Sequence, residues 1–176
     1  MFKTLFKPRP AEAAGQALYA AAVAQARQSA FYAELGAADT PEGRFELYTV
    51  HVVLLVRRLK GQGAQADETA QALFDAYVGG LDIALRELGT GDLSMGKKMK
   101  KLGQAFYGRL KHYDAAFASL PDQAELTALA ERTLVGGDQA NAAPFVDYAL
   151  RAERLLAGSV TADLLAGHAA WPRVTA

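Results

Sequence analysis

An all-α, single-domain compact bundle of about six or seven helices is predicted by three observations on the sequence. Apolar residues recur at three- and four-residue spacings nearly everywhere, and no alternating pair of segments flanks a tight turn. Glycine, proline and short polar residues punctuate the chain where such helices would start and stop. At 176 residues with 51% hydrophobic side chains, the chain can build one real core and contains no low-complexity linker or repeat to mark a second.

The elements follow in order. After Pro10 an alanine-rich segment reads as the first helix, to about Leu35, with Gly36 as a left-handed stop. A second helix has Thr40 as its cap, Pro41 in its first turn and Gly61 as its terminator; it is apolar on almost every side and is expected at the centre of the core. The third starts near Asp67 and places Leu73, Phe74, Tyr77, Val78, Leu81, Leu85 and Leu88 on one face before stopping at Gly89. The fourth starts near Ser94, with a stripe of Met95, Met99, Leu102, Phe106, Leu110, Tyr113 and Phe117. Shorter helices follow Pro121, Ala142 and Ser159, separated by "VGGDQAN" and by Gly158. The expected organisation is an amphipathic basic segment over 1–10, one helical domain over 11–170 and a frayed tail, "WPRVTA", over 171–176.

Composition removes several classes of function. With no cysteine, there is no disulfide scaffold, zinc-thiolate site or thiol nucleophile, and a reducing compartment such as the cytoplasm is the default expectation. His51, His112 and His168 fall on separate predicted helices without metal-ligand spacing, so no metal is expected, and His51 reads as a satisfied core histidine. Asp75 and Asp82 share a helix side, but Arg86 four residues after Asp82 makes an ordinary ion pair. No activated nucleophile or acid–base pair emerges; neither an enzyme nor a cofactor is expected. The longest apolar run, Val50–Val56, is far short of the roughly 20 residues that cross a bilayer. The start, "MFKTLFKPRP", lacks a signal-peptide core; its Phe2, Leu5 and Phe6 among Lys3, Lys7 and Arg9 suit a weak interfacial anchor.

Basic and acidic residues number 19 each, so any attraction to an acidic partner must come from local clustering. The cluster is on the fourth helix. At about 100° per residue, Lys97, Lys101, Lys111 and His112 project opposite the apolar stripe, with Lys98, Lys100 and Arg109 flanking them and no acid four residues away. Gly96 and Gly103, seven apart along one edge of the stripe, are expected to admit another backbone closely. The preceding "LGTGDLSMG" matches no phosphate-binding loop and reads as a tight corner: Gly89 ends one helix, Gly91 permits the turn, and Asp92 or Ser94 caps the next. Neutral net charge and no aromatic within "KKMKK" argue against nucleic acid as a partner.

Within "LDIALRELGTGDLSMGKKMKKLGQAFYGRLKHYDAAF", taken with the upstream "RFELYTVHVVLLVRRLKGQG", three patterns occur in order: R-E-x-G-x-G-D, K-K-M-K and F-Y-G-R-x-x-x-Y-D. On these, the stretch from about Phe31 to Ser119 resembles the ubiquinol-cytochrome c chaperone family, assembly factors for respiratory complex III. The resemblance implies a non-enzymatic helical chaperone that binds newly made cytochrome b at the membrane, working peripherally on the cytoplasmic face of the inner membrane. It assigns Arg86, Glu87, Gly89, Gly91 and Asp92 to the loop, Lys97, Lys98 and Lys100 to the basic start, and Tyr107, Gly108, Arg109, Tyr113 and Asp114 to the terminal motif. Mitochondrial members are associated with a small partner protein and the ribosome; without a long targeting extension this chain looks like the compact bacterial form, for which neither association is implied. The client and anionic-lipid contacts are expected from Lys97, Lys98, Lys100, Lys101, Tyr107, Arg109, Lys111 and Tyr113, with Met95 and Met99 as candidates to line a groove. A different class of reading, a surface protein holding an isoprenoid or acyl chain, requires a deep closed apolar cavity where a helix-binding chaperone requires an open groove.

Overall fold

The computed structural model describes residues 9–135 and 139–175. Among them are six helices of ten or more residues and two single turns, and no strand: α1 (Pro10–Ala26), α2 (Ala30–Ala33), α3 (Pro41–Leu59), α4 (Ala64–Glu87), α5 (Asp92–Ala118), α6 (Ala124–Thr133), α7 (Gln139–Ala157) and α8 (Thr161–Leu165). The expected anchor residues Phe2, Leu5 and Phe6 lie outside the described residues.

Helix α3 occupies the centre, touching α1, α4, α5 and α7. Its start is as read from the sequence: the Thr40 hydroxyl accepts the Gly43 amide at 3.1 Å and Pro41 takes the first turn, where its missing N–H costs nothing. Val50 and every residue from Val52 to Leu55 are buried, which is why so many β-branched residues are tolerated in a helix: packing outweighs their weaker propensity. Helices α1 and α4 approach closely at Gly15, where a Cβ would stand 2.6 Å from the Leu73 amide nitrogen.

The one histidine in the core is fully partnered. His51 Nδ1 lies 2.7 Å from the Leu47 carbonyl and Nε2 2.6 Å from the Tyr148 hydroxyl. A carbonyl only accepts, so Nδ1 bears the proton, Nε2 accepts from Tyr148, and Tyr148 in turn accepts from Gln25 Nε2 at 3.0 Å. Complete burial lowers the imidazole pKa to about 4, so the ring is neutral at pH 7.

Two expectations are corrected here. The first helix does not run on to Leu35; it breaks over Arg27–Ser29, and the turn α2 redirects Phe31 into the core, 4.8 Å from the Tyr148 ring and 5.5 Å from that of His51. Nor is the tail frayed through Thr175. Val174 is buried, the Trp171 ring meets His51 edge-on at 4.8 Å, Gln25 Nε2 donates to the Pro172 carbonyl at 3.0 Å, and Arg151 donates to that of Arg173 at 2.8 Å. Residues 171–175 are held because α1 and α7 offer donors for otherwise unpaired carbonyls.

Candidate interaction surface

The corner between α4 and α5 is built by two devices. Gly89, at φ +80°, ends α4 with paired bonds from its own amide to the Arg86 carbonyl and from Thr90 to that of Leu85, both 2.9 Å, which is the Schellman arrangement. Arg86 then staples the corner, donating to Asp82 on its own helix and to Asp92 across the loop, each at 2.7 Å. Gly91 differs from its expected role: at φ −72° and ψ 154° it is extended backbone open to any residue. Neither Asp92 nor Ser94 caps α5; Asp92 is committed to Arg86, and the Ser94 hydroxyl donates back to the Gly91 carbonyl at 3.0 Å. Glu87 is exposed beside them, at the rim of a cleft between α1, α3 and α4.

On α5 the expected contact residues separate into three groups. Lys97, Lys100, Lys101 and Lys111 are exposed and in no ion pair among the described residues; Lys98 reaches back 2.9 Å to the Thr90 hydroxyl. Arg109 is corrected. It makes a two-pronged bond to Glu46 of α3, 2.9 and 2.6 Å, with both side chains largely covered, so its charge is neutralised inside the fold and its pKa is raised by that bond. Tyr113 is corrected as well: it is buried beside Phe117, and burial pushes its phenol pKa up, so it offers nothing to a partner. Asp114 binds Arg57, with Lys60 at 3.5 Å, and so ties α5 to the end of α3.

Tyr107 remains, 56% exposed, its ring 5.4 Å from Phe74 at the mouth of a cleft of about 200 Å3 between α4 and α5, floored by Val56, Phe74, Phe106 and Leu110. The glycine expectation fails among the described residues: a Cβ at Gly96, Gly103 or Gly108 would meet nothing there, so no neighbouring backbone among them approaches these positions. Met95 is buried and Met99, half-buried, packs against the core cluster. Sequence reasoning missed Leu93, fully exposed, and Leu88, 65% exposed, at the tip of the corner. Leu93 falls about 200° from Met95, out of phase with the stripe, which was a legible signal.

Comparison with known proteins places this geometry. The model of a family described as ubiquinol-cytochrome C chaperone matches residues 33–171, most of the chain. The chain belongs to that chaperone family. A solved structure described as the Cbp3 homolog from Brucella abortus superposes with a TM-score of 0.85 at 34% identity, over 94% of this chain and 92% of that one. No curated protein matches the sequence. The matched span runs past Ser119, where the resemblance in the motifs ends, and so covers α3 to α8 and not the α3–α5 segment alone. Among the described residues of this family member, no helix is long and apolar enough to cross a membrane, and no cluster of potential metal ligands occurs.

Proposed function

We propose that the protein is an assembly chaperone for ubiquinol–cytochrome c reductase, respiratory complex III, that holds newly made cytochrome b while working peripherally on the cytoplasmic face of the inner membrane. The observation that supports this reading most is the family match over 33–171 together with the Cbp3-homolog likeness across nearly the whole chain. The surface is compatible with it. A client made of apolar transmembrane segments needs accessible apolar and aromatic surface, which the α4–α5 cleft offers through Phe74 and Tyr107. A basic helix face beside that cleft, in no ion pair among the described residues, suits a protein that works against anionic head groups.

Purification of the tagged protein from detergent-solubilised membranes tests the proposal. Cytochrome b is expected to co-purify well above a control bait. Recovery of the protein without cytochrome b, under conditions that preserve other membrane complexes, counts against it.

The alternative of a lipid carrier finds less support. A cleft of about 310 Å3 between Tyr19, Phe45, Tyr48, Leu81 and Leu88 is a surface feature with Arg27 and Arg44 on its rim and not a closed cavity.

A further inference from the structure

Helix α5 has an outer face that nothing in the bundle explains. Taking Leu93 as the origin and about 100° per residue, Lys97, Lys100, Gln104, Tyr107 and Lys111 all fall within about 40° of it on either side. Every one of these six residues is exposed. No acid occurs between Leu93 and Tyr113, and none of the three lysines is in an ion pair among the described residues.

Along this sector, roughly 27 Å from Leu93 to Lys111, one aliphatic and one aromatic side chain are interspersed with three cations and a glutamine. Gly96 and Gly103 flank it on one side and Gly108 on the other, with open space where each Cβ would be. In a helix interior such glycines are destabilising, and no packing among the described residues compensates here. What they do is thin the flanks of the helix beside Leu93, fully exposed, and Tyr107, 56% exposed.

We infer that the outer face of α5 is a docking surface for an anionic lipid bilayer, lying flat at the interface with Leu93 and Tyr107 entering the head-group boundary and Lys97, Lys100 and Lys111 spread over the lipid phosphates. The inference rests on the proposed membrane-associated role and assigns this face to lipid in preference to client. The charge pattern favours that choice. A planar anionic surface satisfies a line of same-sign charges at any register, and exposed Leu and Tyr interleaved with Lys is the composition of a helix that lies in the interface. A protein partner would have to bring acids matched to each lysine along the strip.

The experiment uses the full chain and vesicles of phosphatidylcholine with and without phosphatidylglycerol. In a Leu93→Trp variant, whose only other indole is the partly buried Trp171, emission should shift to the blue on phosphatidylglycerol vesicles and be quenched by brominated acyl chains; on pure phosphatidylcholine both changes should be absent. A Lys97→Gln, Lys100→Gln, Lys111→Gln variant should lose at least about tenfold in vesicle partition, with the loss shrinking at high salt and the melting temperature unchanged. Leu93→Ser should reduce partition by about tenfold even at high salt.

Vesicle binding of the Leu93→Trp variant without any change in its emission, or undiminished binding of the triple-lysine variant, overturns the inference and assigns the attachment to another surface. The chaperone reading stands or falls separately, on cytochrome b recovery from membranes, which involves no vesicles.

Discussion

Helices α3 and α5 are neighbours joined by two ion pairs, yet they treat polar groups in opposite ways. On α3 the two fully buried polar side chains are answered, Thr49 by Phe45 and Tyr77 and His51 by Leu47 and Tyr148, and the half-buried Arg57 spends its charge on Asp114 although its Nε stays without a partner among the described residues. On α5 the answered groups, Arg109 and Asp114, face α3, while Lys97, Lys100, Lys101 and Lys111 face solvent with no acidic partner among the described residues. The difference separates charge consumed in holding the bundle together from charge left available to something outside it. Mutations that disturb the first class should act on stability, and those in the second on association.

The largest expected effect is on the α3 side and appears as pH dependence. His51 has a folded-state pKa of about 4 against 6.5 for the free side chain, so between those values the unfolded chain binds the extra proton. Stability from this group is complete above pH 6.5, falls as pH drops toward 4, and is level below; the shift corresponds to about 3 kcal/mol. Denaturant melts across pH 4–7 measure it. A His51→Asn variant, lacking that titration, should give a flatter profile over the same window; an unchanged slope would show that other groups dominate.

Breaking the α3–α5 bridge comes next. Glu46→Ala leaves the Arg109 guanidinium largely covered and unpaired, which should cost about 2 to 3 kcal/mol, somewhat less than for a fully buried pair. The double variant with Arg109→Met should recover part of that loss. If both variants melt like wild type, the bridge contributes nothing and the contrast between the two faces weakens.

The corner itself sharpens the comparison further. Gly89→Val, at φ +80°, should destabilise by about 1 to 3 kcal/mol, while Gly91→Val, in extended backbone, should change stability by less than about 0.5 kcal/mol. Equal effects at the two glycines would mean that local strain does not decide the α4–α5 angle. The smallest stability effect is expected for the triple lysine-to-glutamine variant, within about 0.5 kcal/mol of wild type in a thermal melt, because exposed unpaired charges contribute little to the folded state.

Much of this division was legible in the sequence, and the misses have a common cause. Thr40, Pro41 and Gly36 are local signals, and the chain obeys them: Gly36 adopts φ +71° and Thr40 caps α3. The lysine face was also legible, because the 3.6-residue period places the lysines whatever surrounds them. The break over Arg27–Ser29 has no glycine or proline to announce it and follows from where Phe31 must go. Residues 171–175 read as a loop end, yet are held by Gln25 and Arg151, which are distant in sequence. Arg109 was misassigned for the same reason: nothing within the fourth helix reveals that Glu46 lies across from it, and nothing near Gly96 or Gly103 reveals that their flanks are open.

The central claim is that this bundle serves complex III, and the most direct measurement is the amount of assembled ubiquinol–cytochrome c reductase, with cytochrome b content, in membranes of a strain lacking the gene. The account predicts that both fall while general translation is unaffected, and that the wild-type gene restores them. Normal complex III and normal cytochrome b in the deletion strain would contradict it.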